Sequence, residues 1–407
     1  MPLARDKNGS FVPVSWKEAL GIAASAMGRM AGTQMAALAG PLVDVESLVV
    51  LKDIMNELGS TSTSSTAVAL PADLRAAYTL NSTIAGLEAC DALLLVGTNP
   101  RIEAPLLNAR LRKLVRHQNL PVASVGEQID LTYDVQHIGE SAAALSDLLA
   151  GKGAFATHLK DAKKPAVLIG LGALNRADGP AVGALASQLA AASGCLTDGW
   201  NGFSVLQSVG GAVGALDVGF VPGPTAVALS DASLVYLLGA DEGALHEISS
   251  DAFVIYQGHH GDAGAEIADL ILPGSAYTEK IGTYVNTEGR VQRTRRALDP
   301  PGNAREDWSI LVALSKIMGR PLPYETLEGV HERMRAIAPQ LSDASGDVVE
   351  PSSAALSALA LEYVPPGAPA VSTSALCSSM SNFYMTDSIS RASATMAKCV
   401  QTYGTRA

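Results

Sequence analysis

The feature that most constrains this chain is a set of short, predominantly apolar runs: Met35–Ala39, Leu93–Val96, Val122–Val125, Ala166–Ile169, Leu234–Leu238, Phe253–Gln257 and Asp269–Leu272. Almost none of them alternates polar with apolar residues, so each reads as a strand covered on both faces, the mark of parallel sheets. Helical stretches separate them. Ser15-Trp-Lys-Glu18 is a capping box opening a helix to Met30. Val45–Leu58 carries Leu48, Leu51 and Met55 on one side, and Pro180–Ala192 is a third helix. A Lys/Gly-rich joint from Gly151 to Pro165 resets the pattern. The expected fold is therefore α/β, with two Rossmann-like parallel-sheet domains at 1–150 and 151–335. Within the second domain, Asn303-Ala-Arg-Glu306 opens a helix bearing Ile310, Leu311, Leu314, Ile317 and Met318, which Gly319 and Pro321 end. Residues 336–407 form an irregular to helical C-terminal extension, with a short helix expected at 353–361 and a docking helix at 382–398.

At 407 residues the chain has ample length for two or three domains. Acidic residues outnumber basic ones 40 to 29, and no Lys/Arg stripe is present, which argues against a nucleic-acid partner. A hydrophobic content of 48% with 17% charged residues excludes wholesale disorder. No apolar run approaches the roughly 18 residues of a membrane span. Cys90, Cys195, Cys377 and Cys399 lie far apart without a C-x-x-C pair, so neither a disulfide framework nor a zinc or iron–sulfur site is expected within this sequence. Met1–Gly9 lacks the features of a secretory signal or organellar presequence, leaving either no import or a processed precursor.

Several motifs invite a chemical reading. Gly170-Leu-Gly172-Ala-Leu-Asn175 follows a strand as a dinucleotide fingerprint would, but Asn replaces the third small residue and no acidic residue ends a strand some 20 residues on. A glycine turn accounts for it better. Gly97-Thr98-Asn99-Pro100 sits at a strand's carboxyl end, where open α/β sheets bind ligands, and both a turn and a site for a polar heterocycle fit it. His259, His260 and Asp262 lack a further ligand at metal-site spacing. No nucleophile elbow or Ser-His-Asp order is present, so no catalytic residue is assigned. Asn81-Ser-Thr83 fits a glycosylation sequon that has no meaning in a reducing compartment.

The stretch 257–308 is the most specific. Ala268-Asp-Leu-Ile-Leu-Pro-Gly274 is followed by Glu279-Lys-Ile-Gly-Thr-Tyr-Val-Asn-Thr-Glu-Gly-Arg290 and by Pro300-Pro-Gly-Asn-Ala-Arg-Glu-Asp-Trp308. This resembles the molybdopterin oxidoreductase signature, and Gly97-Thr98-Asn99-Pro100 resembles a pterin-binding turn of that superfamily. Within it, four segments are similar to the largest peripheral-arm subunits of respiratory NADH:ubiquinone oxidoreductase, complex I. They are Leu94-Leu-Val-Gly-Thr-Asn-Pro-Arg-Ile-Glu-Ala-Pro-Leu-Leu-Asn-Ala-Arg110, Ile129-Asp-Leu-Thr-Tyr133, Tyr256-Gln-Gly-His-His-Gly-Asp262 and Phe383-Tyr-Met-Thr-Asp-Ser-Ile-Ser-Arg391. The resemblance runs from about Pro2 to Cys399, and the last motif resembles the mitochondrial form.

The resemblance implies that this chain corresponds to the molybdopterin-oxidoreductase-like half of such a subunit, with the iron–sulfur clusters in a separate N-terminal half. It implies a scaffold that has lost its cofactor, with a vestigial pterin pocket at Gly97, Asn99, Gln257, Glu279, Thr283, Asn286 and Glu288, no metal, and no cofactor of its own. Active relatives place a metal ligand roughly where this chain has Ser60 to Thr66, and no Cys stands there. Gly239-Ala-Asp-Glu242 replaces a second Gly-x-Asn-Pro turn, and its two acids would repel a pyrophosphate. The implied partners are the flavin- and NADH-binding subunits, the quinone-side peripheral subunits and small accessory subunits, on the matrix side of the mitochondrial inner membrane. The alternative is a fragment of an active molybdopterin oxidoreductase of formate-dehydrogenase type.

Overall fold

The computed structural model describes residues 1–65, 74–341, 348 and 370–404. Two sheets organise them. The larger has seven strands in the order Phe11–Pro13, Leu3–Arg5, Leu270–Pro273, Phe253–Gly258, Leu234–Leu238, Met35–Ala39, Thr63–Ser65. Its last five are mutually parallel, and the N-terminal hairpin adds an antiparallel edge. The smaller sheet has five parallel strands in the order Phe203–Leu206, Pro165–Gly170, Ala92–Val96, Val122–Val125, Gln136–Gly139. The apolar runs fall on these strands within a residue or two, and the central ones are buried along their whole length, as two covered faces require.

The expected boundary at residue 150 is corrected by the pairing. It falls inside the smaller sheet, between Gln136–Gly139 and Pro165–Gly170, whereas Met35–Ala39 pairs with Leu234–Leu238 across some 200 residues. The smaller α/β unit is inserted into the larger one instead of following another in series. Local hydropathy marks each strand but carries no information on which distant strand it joins, so a serial reading puts the division in the wrong place.

Helix Trp16–Arg29 begins at the expected capping box: the Ser15 hydroxyl accepts from the Glu18 amide at 3.2 Å, and the Glu18 carboxylate accepts from the Ser15 amide at 2.8 Å. Helix Val45–Glu57 lies against helices Asp307–Ile317 and Leu327–Ile337. Asp53 pins that packing by accepting from Arg333 at 2.9 Å and from the Tyr324 hydroxyl at 2.8 Å. After strand Ala92–Val96 come a separate helical turn, Pro100–Glu103, and a helix, Pro105–Gln118, each opened by a proline in the first turn. The Ser/Thr-rich stretch after Leu58 contains strand Thr63–Ser65 at the sheet edge. The short helix expected at 353–361 lies outside the described residues. The docking helix expected at 382–398 is two helices, Ser388–Arg391 and Ala394–Tyr403. Among the described residues no helix is long and apolar enough to cross a membrane.

Candidate functional site: the carboxyl edge of two sheets

Parallel strands present their carboxyl ends on one edge, where ligands bind in open α/β folds. Here that edge is lined with glycine: Gly40, Gly239, Gly258 and Gly274 on the larger sheet, and Gly97, Gly126 and Gly170 on the smaller. The two turns that correspond in sequence share a backbone conformation, since Gly97 and Gly239 both have φ +56°. Their side chains differ. Asn99 caps the helix turn after it, accepting from the Arg101 amide at 3.2 Å, and the Thr98 hydroxyl donates to Glu103. In the other turn Asp241 accepts from the Tyr256 hydroxyl at 2.7 Å and from the Gly264 amide at 3.1 Å, and Glu242 pairs with Arg391 at 2.5 Å. Burial pushes the Glu242 carboxyl above its ordinary range despite that arginine.

The signature residues do not converge on one pocket. Gln257, at the end of strand Phe253–Gly258, is fully buried; it accepts from the Tyr236 hydroxyl at 2.5 Å and donates to Asp307 Oδ1 at 2.9 Å. Lys280 stands beside it, 2.5 Å from Asp307 and 2.6 Å from Asp44, in a cluster with less than a tenth of any side chain exposed. Burial opposes the Asp44 carboxylate, yet Lys280 and the Ser47 donors hold it below its usual range. Burial likewise opposes the Lys280 ammonium, and the two carboxylates outweigh it and hold the lysine protonated. Thr283 donates through its amide (2.7 Å) and hydroxyl (2.6 Å) to the buried Glu46 carboxylate, which also meets His331 at 3.0 Å. Glu279 accepts from the Ala276 amide at 3.0 Å.

Asn286 and Glu288 lie at the tip of the hairpin formed by Thr283–Val285 and Val291–Arg293. The Asn286 side-chain Oδ1 accepts from the Glu288 and Arg290 amides at 3.1 and 2.9 Å, shaping the turn. Glu288 reaches out to accept from the Ile84 amide at 2.8 Å, and Leu80 donates to the Thr287 carbonyl at 2.7 Å. This tip joins the larger unit to the inserted one. The longest motif thus divides between a buried ionic cluster and a structural joint.

The hydroxyls at 60–63 are also engaged. Ser60 donates to the Met35 carbonyl at 2.8 Å, Ser62 accepts from the Val227 amide at 2.8 Å, and Thr63 donates to the Val221 carbonyl at 3.0 Å. Gly170-Leu-Gly172 turns off its strand directly into a single helical turn, Leu171–Leu174. Asp262 is taken by Arg391 at 2.5 Å, while His259 and His260 face each other with Nδ1 atoms 2.9 Å apart. The Asn81 side chain is buried, donating to the Ala76 and Phe203 carbonyls at 2.8 Å, a structural use of the sequon. Cys90 and Cys195 are buried thiols whose pKa burial pushes up to about 12.

Sequence reasoning missed two features. One is the charged partners of the signature, Asp44, Glu46 and Asp307, whose only sequence signal was acid placed where a core face was otherwise apolar. The other is the course of residues 372–378 over the smaller sheet. The Leu376 carbonyl accepts from the Glu127 amide and its own amide donates to the Glu140 carbonyl, both at 2.8 Å. Arg176 donates to the Ala375 carbonyl and to the Ser372 hydroxyl at 2.8 Å, and the Ser372 amide donates to Asp178 at 2.8 Å. The tail whose composition reads as loose is, over this part, fastened to the strand ends.

Comparison with known proteins matches this architecture. The molybdopterin oxidoreductase family matches residues 1–317, and a family formed by the C-terminal region of an NADH-ubiquinone oxidoreductase subunit matches residues 348–399. The mitochondrial NADH-ubiquinone oxidoreductase 78 kDa subunit of Candida albicans is 45% identical over 100% of this chain and 56% of its own length. That of Neurospora crassa is 44% identical over 98% and 54%, and the mitochondrial NADH dehydrogenase [ubiquinone] iron-sulfur protein 1 of Solanum tuberosum is 40% identical over 98% and 53%. The chain spans about half the length of these relatives. Among solved structures, acetylene hydratase from Pelobacter acetylenicus superposes with a TM-score of 0.58 at 13% identity, covering 78% of this chain and 61% of that one. The formyltransferase/hydrolase complex from Methylorubrum extorquens gives 0.54 at 16%, covering 78% and 98%. These two likenesses concern the fold. The chain belongs to the molybdopterin oxidoreductase family, among relatives that are the mitochondrial 78 kDa and iron-sulfur subunits of NADH-ubiquinone oxidoreductase.

Proposed function

We propose that this chain is a scaffold within the peripheral arm of complex I, part of an H+-translocating NADH:ubiquinone reductase but without chemistry of its own. The observation that carries the reading is that the carboxyl edge, where the fold would hold a pterin cofactor, has its polar groups committed to the chain itself. Gln257, Thr283, Asn286 and Glu288 each serve a buried partner or a joint. The Ser60, Ser62 and Thr63 hydroxyls bond backbone, and Asp241 and Glu242 place carboxylates at a turn that would have to accept an anionic pyrophosphate. These residues do not fit the cofactor.

Its neighbours in this reading are the flavin- and NADH-binding subunits, the quinone-side peripheral subunits and small accessory subunits, on the matrix side of the mitochondrial inner membrane. The iron–sulfur clusters that pass electrons toward ubiquinone belong to the N-terminal half of such a subunit, outside this sequence. The absence of a long apolar helix among the described residues accords with a peripheral place. A fragment of a working formate-dehydrogenase-type enzyme would require an accessible metal ligand near 60–66, and there the hydroxyls of Ser60, Thr61, Ser62 and Thr63 are engaged in internal bonds.

The test is a native gel of solubilised mitochondrial membranes, stained for NADH oxidation and probed with an antibody against residues 385–404. Co-migration with the megadalton NADH-oxidising band supports the scaffold. A small species without NADH activity overturns it.

A further inference from the structure

We propose that residues 372–391 act as a built-in ligand of the carboxyl-edge crevice: a clasp that ties the inserted sheet to the larger one and occupies the approach a nucleotide would need. The inference deepens the cofactor-free reading and rests on it, but it can fail separately.

Two anchors carry the argument. The first lies on the smaller sheet. A Cβ on Gly172 would fall 1.6 Å from the Cys377 carbonyl oxygen, and one on Gly126 would fall 2.4 Å from that of Leu376. Glycines that in a nucleotide-binding turn admit a phosphate here admit the chain's own backbone. Leu376 is fully buried beneath this crossing, which gives the segment an apolar anchor. The second anchor lies on the larger sheet, where the Arg391 guanidinium divides between Glu242 and Asp262, both at 2.5 Å. Asp387 fixes that arginine's approach by capping the Ser388–Arg391 turn through the Ile389 and Ser390 amides at 3.0 Å.

Charge matches across the contact. The crevice presents Glu103, Glu127, Asp178, Glu242 and Asp262, and the clasp answers with donors. The Ser378 hydroxyl meets Glu103 at 2.5 Å, the Ser378 amide meets Glu127 at 3.2 Å, and the Ser372 amide meets Asp178 at 2.8 Å. A pyrophosphate brings only acceptors and negative charge to the same groups. Of the crevice's cations, Arg176 already holds Asp178 at 2.7 Å as well as the clasp. The site is complementary to a peptide rich in N–H and hydroxyl donors, and the chain supplies one. Because one anchor sits on each sheet, the clasp and the Asn286–Arg290 hairpin tip join the two units at separate places.

Hydrogen exchange read by mass spectrometry on the full chain tests this. Arg391→Glu and Gly172→Val are compared with wild type, and Arg391→Glu is combined with Glu242→Arg. Clasp amides in 372–391 should be protected in wild type. Arg391→Glu should speed exchange at 387–391 at least about tenfold, with partial return in the charge-swapped pair. Gly172→Val should release 372–378 and expose Glu127. GDP and ADP, added to each form, should give no saturable thermal shift. Wild-type exchange at unfolded-chain rates over 372–391, or no change in Arg391→Glu, overturns the clasp and leaves the cofactor-free reading standing. Should Gly172→Val fail to fold, the Arg391 comparison still decides. Saturable GDP or ADP binding once the segment is displaced would make it a lid over a nucleotide site, overturning both readings.

Discussion

At the carboxyl end of the larger sheet, Lys280 sits between Asp44 and Asp307 with Gln257 hydrogen-bonded alongside; at the same end of the smaller sheet, the chain's backbone lies directly over Gly126 and Gly172. The two closures solve one problem by opposite means. Strand ends leave carbonyls, amides and an open edge that must be satisfied by something. The larger sheet uses buried charge, which is costly to desolvate and tolerable only while every partner is present. The smaller sheet uses close backbone approach over glycine, held by the buried Leu376 and by hydrogen bonds with polar side chains around the strand ends. The difference teaches that a fold associated with a cofactor can keep its turn geometry, with φ +56° at both Gly97 and Gly239, while the side chains around each turn are put to structural use.

The comparison is broken most strongly by removing the central charge. Lys280→Met should cost about 3–5 kcal/mol, because it leaves the Asp44 and Asp307 carboxylates facing one another without compensation in a buried site. Denaturant unfolding measures it; a loss below about 1 kcal/mol would mean that water reaches the cluster. The counterpart on the smaller sheet is Leu376→Ala. It should cost about 2–4 kcal/mol by opening a cavity under the crossing, with the loss seen as faster exchange at 372–378 before global unfolding.

The two turns sharpen the contrast at a smaller scale. Both Gly97→Ala and Gly239→Ala meet the left-handed penalty of about 1–2 kcal/mol. Only at position 97 would the new Cβ also collide, 2.7 Å from the Ala173 Cβ, whereas at 239 its nearest neighbour is Val43 Cγ2 at 3.4 Å. Gly97→Ala should therefore lower the melting temperature more than Gly239→Ala, and equal shifts would contradict the packing.

The smallest effect is one of pH. Hydrogen bonds from Arg176, then from the Ser372 amide and hydroxyl, hold the Asp178 carboxyl at about 2, below its ordinary 3.8. A depressed carboxylate contributes its stability fully above the unfolded-state value and loses it as pH falls from about 4 toward 2. Asp178→Asn should therefore flatten the acid limb of a stability profile in that interval and leave the slope near neutrality unchanged. An unaltered acid limb would show that Asp178 does not hold the tail.

Much of the fold is legible in the sequence because the decisive signals are local. Met35–Ala39 and Leu234–Leu238 are apolar throughout, and Ser15 with Glu18 caps one helix in the way the spacing demands. The pairing of those two strands is not legible, since it depends on contacts 200 residues apart, and so the inserted unit reads as half of a series. Among the candidate site residues, motif resemblance picks out Gln257, Thr283 and Glu288, but it cannot find their partners. Glu46 and the helix N-cap Asp44 are acids beside an otherwise apolar helix face, and both are buried where Thr283 and Lys280 of the 279–290 segment reach them. The Ser-rich stretch around 372–378 looks loose because its anchorage runs through its own backbone groups and hydroxyls to distant residues such as Glu127, Glu140, Arg176 and Asp178, which leaves no periodic trace.

The scaffold proposal stands or falls on whether this member of the molybdopterin oxidoreductase family holds such a cofactor. It is tested most directly by elemental analysis of the purified NADH-oxidising assembly that contains the chain, quantifying molybdenum and tungsten against protein. Only trace amounts of both are expected. Either metal near one atom per chain would contradict it.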